Sequence, residues 1–389
     1  MFSQRVPRDR SPNEWASRLE ARRAAGVALL DLTEANPTIA GLSRMGPLEI
    51  AALAAGAAAE YRPQPRGLAG ARAAIVEYYA ARGLDADPAA MVLTSGTSEA
   101  YAHLFRLLAD PGDRVLVPAP SYPLFEPIAA LEGVRVASYA LAWDGQWHLD
   151  VASLERELAR GARAVVVVQP NHPTGSCLSA DEIATLDSLC ASAGAAIIAD
   201  EVFLDYVWND SGAGLPSLLA DRRALTFVLS GLSKVCGLPQ LKLGWIAACG
   251  PSRLVEEAVS GLEWIADLFL SVAMPVQVAL PELLRGRREF QRRVLERIAV
   301  NRVRLGLAAE RSPECSVLAA RGGWHAVMRL PGRRSEEQWM NEFLARGVIV
   351  HPGHFYDFAV ESFAVVSLIA DPLTFDDGLT RIEQSLVES

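Results

Sequence analysis

Lysine is almost missing from this chain. Of its 37 basic residues only Lys234 and Lys242 are lysine, and both fall in the stretch SGLSKVCGLPQLKLGW, Ser230 to Trp245. Arginine serves every surface role of a positive charge but stays protonated, whereas a lysine amine can lose its proton and attack a carbonyl. The scarcity marks Lys234 as a candidate nucleophile; two surface lysines left by drift is the alternative. Cysteine is sparse and unpatterned: Cys177, Cys190, Cys236, Cys249 and Cys315 are odd in number and lack C-x-x-C spacing. That disfavours a disulfide framework and a zinc site, and a cytoplasmic setting is expected. Hydrophobic residues make up 51% of the chain, yet no run of about 18 apolar residues lacks charges or helix breakers, so no membrane span is expected. The opening MFSQRVPRDRSPNEW carries no apolar signal core. Positive charge is in deficit, with a net charge of −9, which argues against a nucleic-acid surface. Arg287–Arg288 and Arg292–Arg293 read as a solvated helix face. A serine hydrolase has no G-x-S-x-G elbow to start from, and the spacing of Ser230 and Lys234 is not S-x-x-K.

What is present is enough chain, at 389 residues, to bury a substantial core and divide into two units. Residues 1–46 read as an arm with a helix near Asn13 to Ala25 and an extended Asn-Pro segment, Asp31 to Thr38. Helical stretches follow at Pro47–Glu60 and Ala69–Ala81, separated by the breaker YRPQPRG. From Met91 to Cys249 short β-rich runs alternate with amphipathic helices. The expected strands are Met91–Ser95, Arg114–Pro118, Val134–Leu141, Ala164–Val168, Ala195–Asp200, Leu225–Ser230 and Leu243–Cys249. The valine run Val165–Val168 suits a strand covered on both faces, and the helices are long enough for crossovers. The fold class is α/β: a large domain, 47–275, with a mainly parallel seven-stranded sheet, and a smaller α+β domain, 276–389, to which part of the arm belongs.

In such sheets ligands sit beyond the carboxyl ends of the strands, and the unusual residues lie there. Ser95-Gly96-Thr97 enters a helix whose free amides and partial positive charge suit a phosphate, unless Thr97 or Ser98 merely caps the helix. Tyr122 follows the next strand, as a platform for a planar ring or as a turn tyrosine packed on its own domain. Asn171 and His172 stand in the fixed loop QPNHPTG. Asp200 ends a buried strand and needs a cationic or proton-sharing partner, a pyridinium nitrogen being one and an arginine or a helix cap the others. Together with Lys234 these are the fittings of pyridoxal phosphate: amine, ring-nitrogen partner, stacking residue and anion site.

The order SGTSEA, PSYPLF, NHPTG, DEVF, SGLSK, LPQLKLGW, GGW and HPGHF resembles that of the class I/II (aspartate/alanine aminotransferase-like) branch of fold-type I pyridoxal phosphate enzymes, over most of the chain. The resemblance implies Lys234 as the Schiff-base lysine and proton carrier, Asp200 as the residue holding the ring nitrogen protonated, and Tyr122 stacked on the ring. It implies phosphate contacts from Ser95, Gly96, Thr97, Ser230, Ser233 and Lys242. It also implies that Tyr61 reaches a neighbouring subunit's phosphate in a homodimer with shared sites. The implied activity is transfer of an amino group between an amino acid and a 2-oxo acid by a ping-pong aldimine/ketimine route.

Several positions depart from the family pattern. His172 replaces an asparagine and Phe203 a tyrosine, so the cofactor's ring oxygen is left to His172 or Asn171. Lys242 stands where an arginine binds phosphate, keeping the charge without the bidentate fork. Val365 occupies the place of the arginine that grips the substrate's carboxylate. Arg329 is a candidate to meet that carboxylate, or else an ordinary surface residue, with His325, His351 and His354 behind it; Trp324 and Phe355 are candidates for the side-chain pocket or for the core, and Asn36 is a further candidate substrate contact. Competing readings are another pyridoxal phosphate reaction, such as β-elimination, decarboxylation or oxidation, and a non-catalytic cofactor-binding regulator.

Overall fold

Short runs rich in β-branched and small residues form the middle of the molecule because they are covered on both faces; Thr226–Gly231, Ala196–Asp200 and Ala164–Val168 are buried along their whole length. A computed structural model describes residues 3–208, 215–312, 314–359 and 362–387. Its main sheet has eight strands in the spatial order Met91–Thr94, Gly244–Cys249, Thr226–Gly231, Ala196–Asp200, Ala164–Val168, Arg114–Ala119, Arg135–Trp143, Trp147–Leu149. The five strands from Thr226–Gly231 to Arg135–Trp143 are mutually parallel, while Gly244–Cys249 runs antiparallel to both its neighbours. The eighth strand corrects the expected count of seven. Trp147–Leu149 pairs antiparallel with the end of Arg135–Trp143 through the turn at Asp144 to Gln146, and three residues are too few to show a period of two.

Ala164–Val168 shows how the sheet is held. All five residues are buried; Val165 and Val167 enter one apolar cluster and Ala164, Val166 and Val168 another, as strand alternation requires. Burying each valine contributes about 1.5–3 kcal/mol, so a single aspartate at Val166 would strand a charge between sheet and helix. Helices Ala69–Ala80 and Ala180–Ala193 cover one face, and Thr97–Leu108 and Ser252–Asp267 the other. All the parallel strands therefore finish at one edge, where Ser95, Tyr122, His172, Asp200 and Lys234 follow their respective strands.

The remainder forms a second core around a four-stranded antiparallel sheet, ordered Ser316–Val317, His325–Arg329, Phe363–Ser367, His351–Pro352. The arm joins it: Leu30–Asp31 pairs parallel with Val348–Ile349, and the Ser367 N–H donates to the Leu32 carbonyl at 2.7 Å. One helix, Met274–Glu310, serves both cores, with Leu280 and Leu283 in the first and Phe290, Val294 and Ile298 in the second. The expected division at 275/276 thus falls in the first turn of that helix. Among the described residues no helix is long and apolar enough to cross a membrane, and all five cysteines are free thiols.

Candidate active site

A cavity of about 280 Å³ lies against the carboxyl edge of the large sheet, bounded there by Gly96, Thr97, Tyr122, Val168, His172, Asp200, Phe203, Ser233 and Lys234. Its other wall comes from the arm and the second core: Thr33, Ala35, His325, His351 and Tyr356.

Lys234 sits on the single helical turn Leu232–Val235 that follows strand Thr226–Gly231. The Tyr206 hydroxyl donates to its backbone carbonyl at 2.6 Å. Its Nζ stands 4.5 Å from the centroid of the Trp324 ring and 5.3 Å from that of Phe203. Burial pushes this amine down to about 8, with the Asp200 charge pulling the other way, so the neutral, nucleophilic form is reached near physiological pH.

Asp200 closes strand Ala196–Asp200 and is buried. Its Oδ2 accepts the Tyr101 hydroxyl at 3.0 Å and its Oδ1 accepts the Val202 N–H at 3.2 Å. Burial raises the carboxyl to about 6, and those two hydrogen bonds and the Lys234 charge hold it back from rising further. Neither protein partner is a cation in contact, which leaves the carboxylate suited to a ring N–H brought by a ligand. Tyr122 stands with its ring centroid 6.0 Å from that of His172; burial raises its phenol to about 12, so it stays neutral.

The anion end depends on glycine. Helix Thr97–Leu108 has Gly96 as its N-cap and no side-chain cap, so neither Thr97 nor Ser98 plays the capping role and the first amides are left open. Gly96 has φ 137°, and a β-carbon there would lie 3.4 Å from Lys242 Nζ. A β-carbon on Gly244 would approach the Gly96 backbone to 3.1 Å. Glycine at both positions lets two strand ends and the lysine amine close around one point. Lys242 reaches it from a left-handed backbone, φ 49°.

On the cavity wall His172 is half-buried, and its shielded Nδ1 has no hydrogen-bond partner among the described residues. Burial and the Lys234 charge push it down to about 3, so it is a neutral imidazole. Phe203 lines the cavity with no donor to offer. An amine, a buried carboxylate, an aromatic ring and an anion cradle around one cavity are the groups that pyridoxal phosphate requires; these residues fit it.

Other expected residues are placed elsewhere. Asn171 is engaged by its neighbours, its amide donating to the Pro120 carbonyl and to Thr174 Oγ1 while its Oδ1 accepts the Ser121 hydroxyl. Asn36 turns its Oδ1 back to Thr38, and Thr33 and Ala35 line the cavity instead. Trp324 is wholly buried beneath Lys234 and the second core, not on the cavity wall. Arg329 borders a separate groove with Trp143, Trp147 and Phe358. Ser95 and Ser230 flank the cavity without lining it; the Ser95 N–H is engaged by Glu99 Oε2 at 2.6 Å, and the buried Ser230 hydroxyl has no partner among the described residues. Tyr61 lies outside the cavity and is 67% exposed. Val365 is buried among Leu318, Val327, Tyr356 and Phe363. Sequence reasoning missed Tyr101, whose phenol was hidden in an apolar helix face, and undervalued His351 and Tyr356, joined by a 2.8 Å contact between Nδ1 and the hydroxyl.

Known proteins resemble this chain in sequence and fold. The glutamate-pyruvate aminotransferase AlaA of Escherichia coli (strain K12) is 29% identical over 223 residues, 57% of this chain and 55% of its own length. The alanine aminotransferase of Mycobacterium tuberculosis (strain ATCC 25618 / H37Rv) is 29% identical over 288 residues, 73% of this chain and 66% of its own. The chain thus spans little more than half the length of the first of these relatives. Among solved structures, the alanine aminotransferase from Pyrococcus furiosus superposes with a TM-score of 0.89 over the whole of both chains at 20% identity. An aspartate aminotransferase of Thermus thermophilus does so with 0.85 over 99% of each at 22%; at such identities the likeness shows the fold. The model of the family described as aminotransferase class I and II matches residues 29–370, and the chain belongs to that family.

Proposed function

We propose that this chain is a pyridoxal phosphate-dependent aminotransferase that moves an amino group from a donor amine, in the family's usual case an amino acid, to a carbonyl acceptor such as a 2-oxo acid. The observation that carries the reading is the placement of the half-buried Lys234 and the buried Asp200 on one cavity at the sheet's carboxyl edge, with the amine lowered to about 8. When bound, the cofactor supplies a carbonyl carbon that amines join and a ring that accepts the electrons left behind when a carbon-bound proton departs.

The protein's part follows from its own atoms. Lys234 Nζ is the amine that would anchor the cofactor and, when free, the base that would take the proton from the donor carbon and later return it. Asp200 receives the ring N–H, and the Tyr101 hydroxyl orients its carboxylate. Tyr122 flanks the ring, while the open amides at Gly96 and Thr97, with Ser233 and Lys242, hold the phosphate. His172 meets the ring oxygen with a neutral imidazole, since Phe203 has no donor. The exposed Tyr61 supports a homodimer in which it completes a second copy's phosphate site, and the free thiols support a reducing, cytoplasmic setting.

Borohydride reduction of the protein purified with pyridoxal phosphate tests the first claim: the fluorescent peptide is expected to carry the label at Lys234, and a label elsewhere overturns the reading. A productive donor is then expected to convert one equivalent of cofactor to pyridoxamine phosphate. Ammonia or carbon dioxide released without it would replace transfer by elimination or decarboxylation.

A further inference from the structure

The cavity has an uneven distribution of charge. Lys234 and Asp200 stand at the sheet edge and Lys242 reaches the Gly96 corner. The facing wall is Thr33, Ala35, His325, His351 and Tyr356, and no arginine lines the cavity. The chain has 37 basic residues, all but two of them arginine, and every arginine lies among the described residues. Arg329 stands four residues along the strand from His325, roughly 13 Å at the usual rise, and borders the separate groove with Trp143 and Trp147. Val365, between Val327 and His351 in the sheet, is packed behind Tyr356.

What the wall offers is neutral hydrogen bonding. His325 is buried, and its Nδ1 has no partner among the described residues. Its ring centroid is 4.2 Å from that of His172. Burial, the neighbouring imidazoles and Lys234 all disfavour its charged form, and burial holds His351 neutral as well. His351 Nδ1 and the Tyr356 hydroxyl form a second polar pair on the same wall. A carboxylate pressed against these groups would be stripped of water with no cation on that wall to meet it. A hydroxyl donates to an imidazole nitrogen and accepts from a phenol at no such penalty.

Resting on the aminotransferase reading, we propose that the amino-group substrate of this site carries no carboxylate on the carbon bearing its amine. It presents a hydroxyl on the neighbouring carbon, in the place of the carboxylate, as an amino alcohol interconverted with the corresponding hydroxy aldehyde or hydroxy ketone. In net terms the donor exchanges its C–N bond for C=O and is oxidised by two electrons. A carbonyl acceptor, an aldehyde, ketone or oxo acid, exchanges C=O for C–N and is reduced by two, so no further oxidant enters.

Matched pairs test this on the holoprotein as purified: L-alanine against L-alaninol, L-serine against serinol, L-phenylalanine against L-phenylalaninol. The rate of conversion of the cofactor to its amine form is followed by absorbance. In the pair that reacts best, the amino alcohol is expected to exceed its carboxylate partner in kcat/KM by about tenfold or more, the scale set by a mismatched polar group in a specificity pocket. His325→Arg, which brings a cation to the wall, is expected to lower that ratio. Faster reaction of the carboxylates with the wild type overturns the proposal, including the case in which a neighbouring copy supplies the missing cation, and leaves the transferase reading standing. Failure of every amine, with borohydride still labelling Lys234, removes the transferase reading and this inference with it.

Discussion

The two walls of the cavity are made in different ways. The sheet-side wall is a row of strand ends: Asp200 closes one strand, Lys234 follows the next by one helical turn, and Gly96, Tyr122 and His172 follow three others. Each is fixed by a strand buried on both faces. The facing wall is an assembly of segments distant in sequence, Thr33 and Ala35 from the arm and His325, His351 and Tyr356 from the second core. They are brought together by the pairing of Leu30–Asp31 with Val348–Ile349 and of Phe363–Ser367 with both His325–Arg329 and His351–Pro352. On the proposed reading one wall would hold the chemistry of transfer and the other would choose what enters. A change on the sheet side is therefore expected to affect every substrate alike, and a change on the facing side only some.

Lys234→Ala is the most severe way to press that contrast. It removes both the anchor and the base, so transfer is expected to fall about 10⁴-fold or more for every donor, measured in single-turnover absorbance, with no borohydride label. Activity retained for any one donor would place its base on the other wall. Asp200→Asn keeps the shape and removes the charge that balances a ring N–H. A loss of roughly 10²–10³-fold is expected, again irrespective of donor, the range seen when one preorganised electrostatic contact is deleted.

The contrast also explains what could be read from the sequence. Ala164–Val168 was legible residue for residue, because an unbroken buried valine run is a signal carried by five neighbours. Asp200 and Lys234 were legible because each follows such a run and differs sharply from it. Trp147–Leu149 was too short to show, and the family of turns around Asp144 offered no apolar period. Arg329 was placed at the site on the strength of its strand, but alternation only says which face it shares with His325, not how far along that face the cavity extends. Thr33, Ala35 and Tyr356 carried no signal at all, since their role exists only after two cores and an arm have docked. Tyr101 stands among apolar helix residues and its ring packs on Phe105 and Phe125; only its hydroxyl, bonded to Asp200, departs from that role.

The lysine amine permits a quantitative version. In cofactor-free protein Lys234 is lowered to about 8 from the usual 10.5. The protonated amine is not nucleophilic, so the rate of pyridoxal phosphate attachment is expected to rise about tenfold per pH unit up to roughly 8 and level off above it. A rise continuing towards 10.5, seen by stopped-flow absorbance, would mean an amine exposed to water. On the facing wall, His325→Phe is expected to leave attachment unchanged while altering kcat/KM by about tenfold for the preferred donor and less for poor ones. Uniform loss across donors would erase the division between the walls.

Tyr101→Phe gives the smallest effect and the finest distinction, because the Tyr101 hydroxyl meets the Asp200 carboxylate from outside the cavity. The phenol donates to Asp200 Oδ2 at 3.0 Å and thereby favours the ionised form. Without it, Oδ2 keeps no protein donor in a buried setting, while Oδ1 still accepts the Val202 N–H. The carboxyl, already raised to about 6 by burial, is expected to move higher, since a donor to the charged form has been withdrawn. Carbon-13 resonances of labelled aspartates in cofactor-free protein, assigned through Asp200→Asn, would follow it directly. The transfer rate is expected to fall less than about tenfold, in keeping with a hydrogen bond to a charged group worth about 1.5–3 kcal/mol of which only part is felt in the reaction. A shift downward would mean that the phenol had been stabilising the protonated acid, and Asp200 would then be a poor partner for a ring cation.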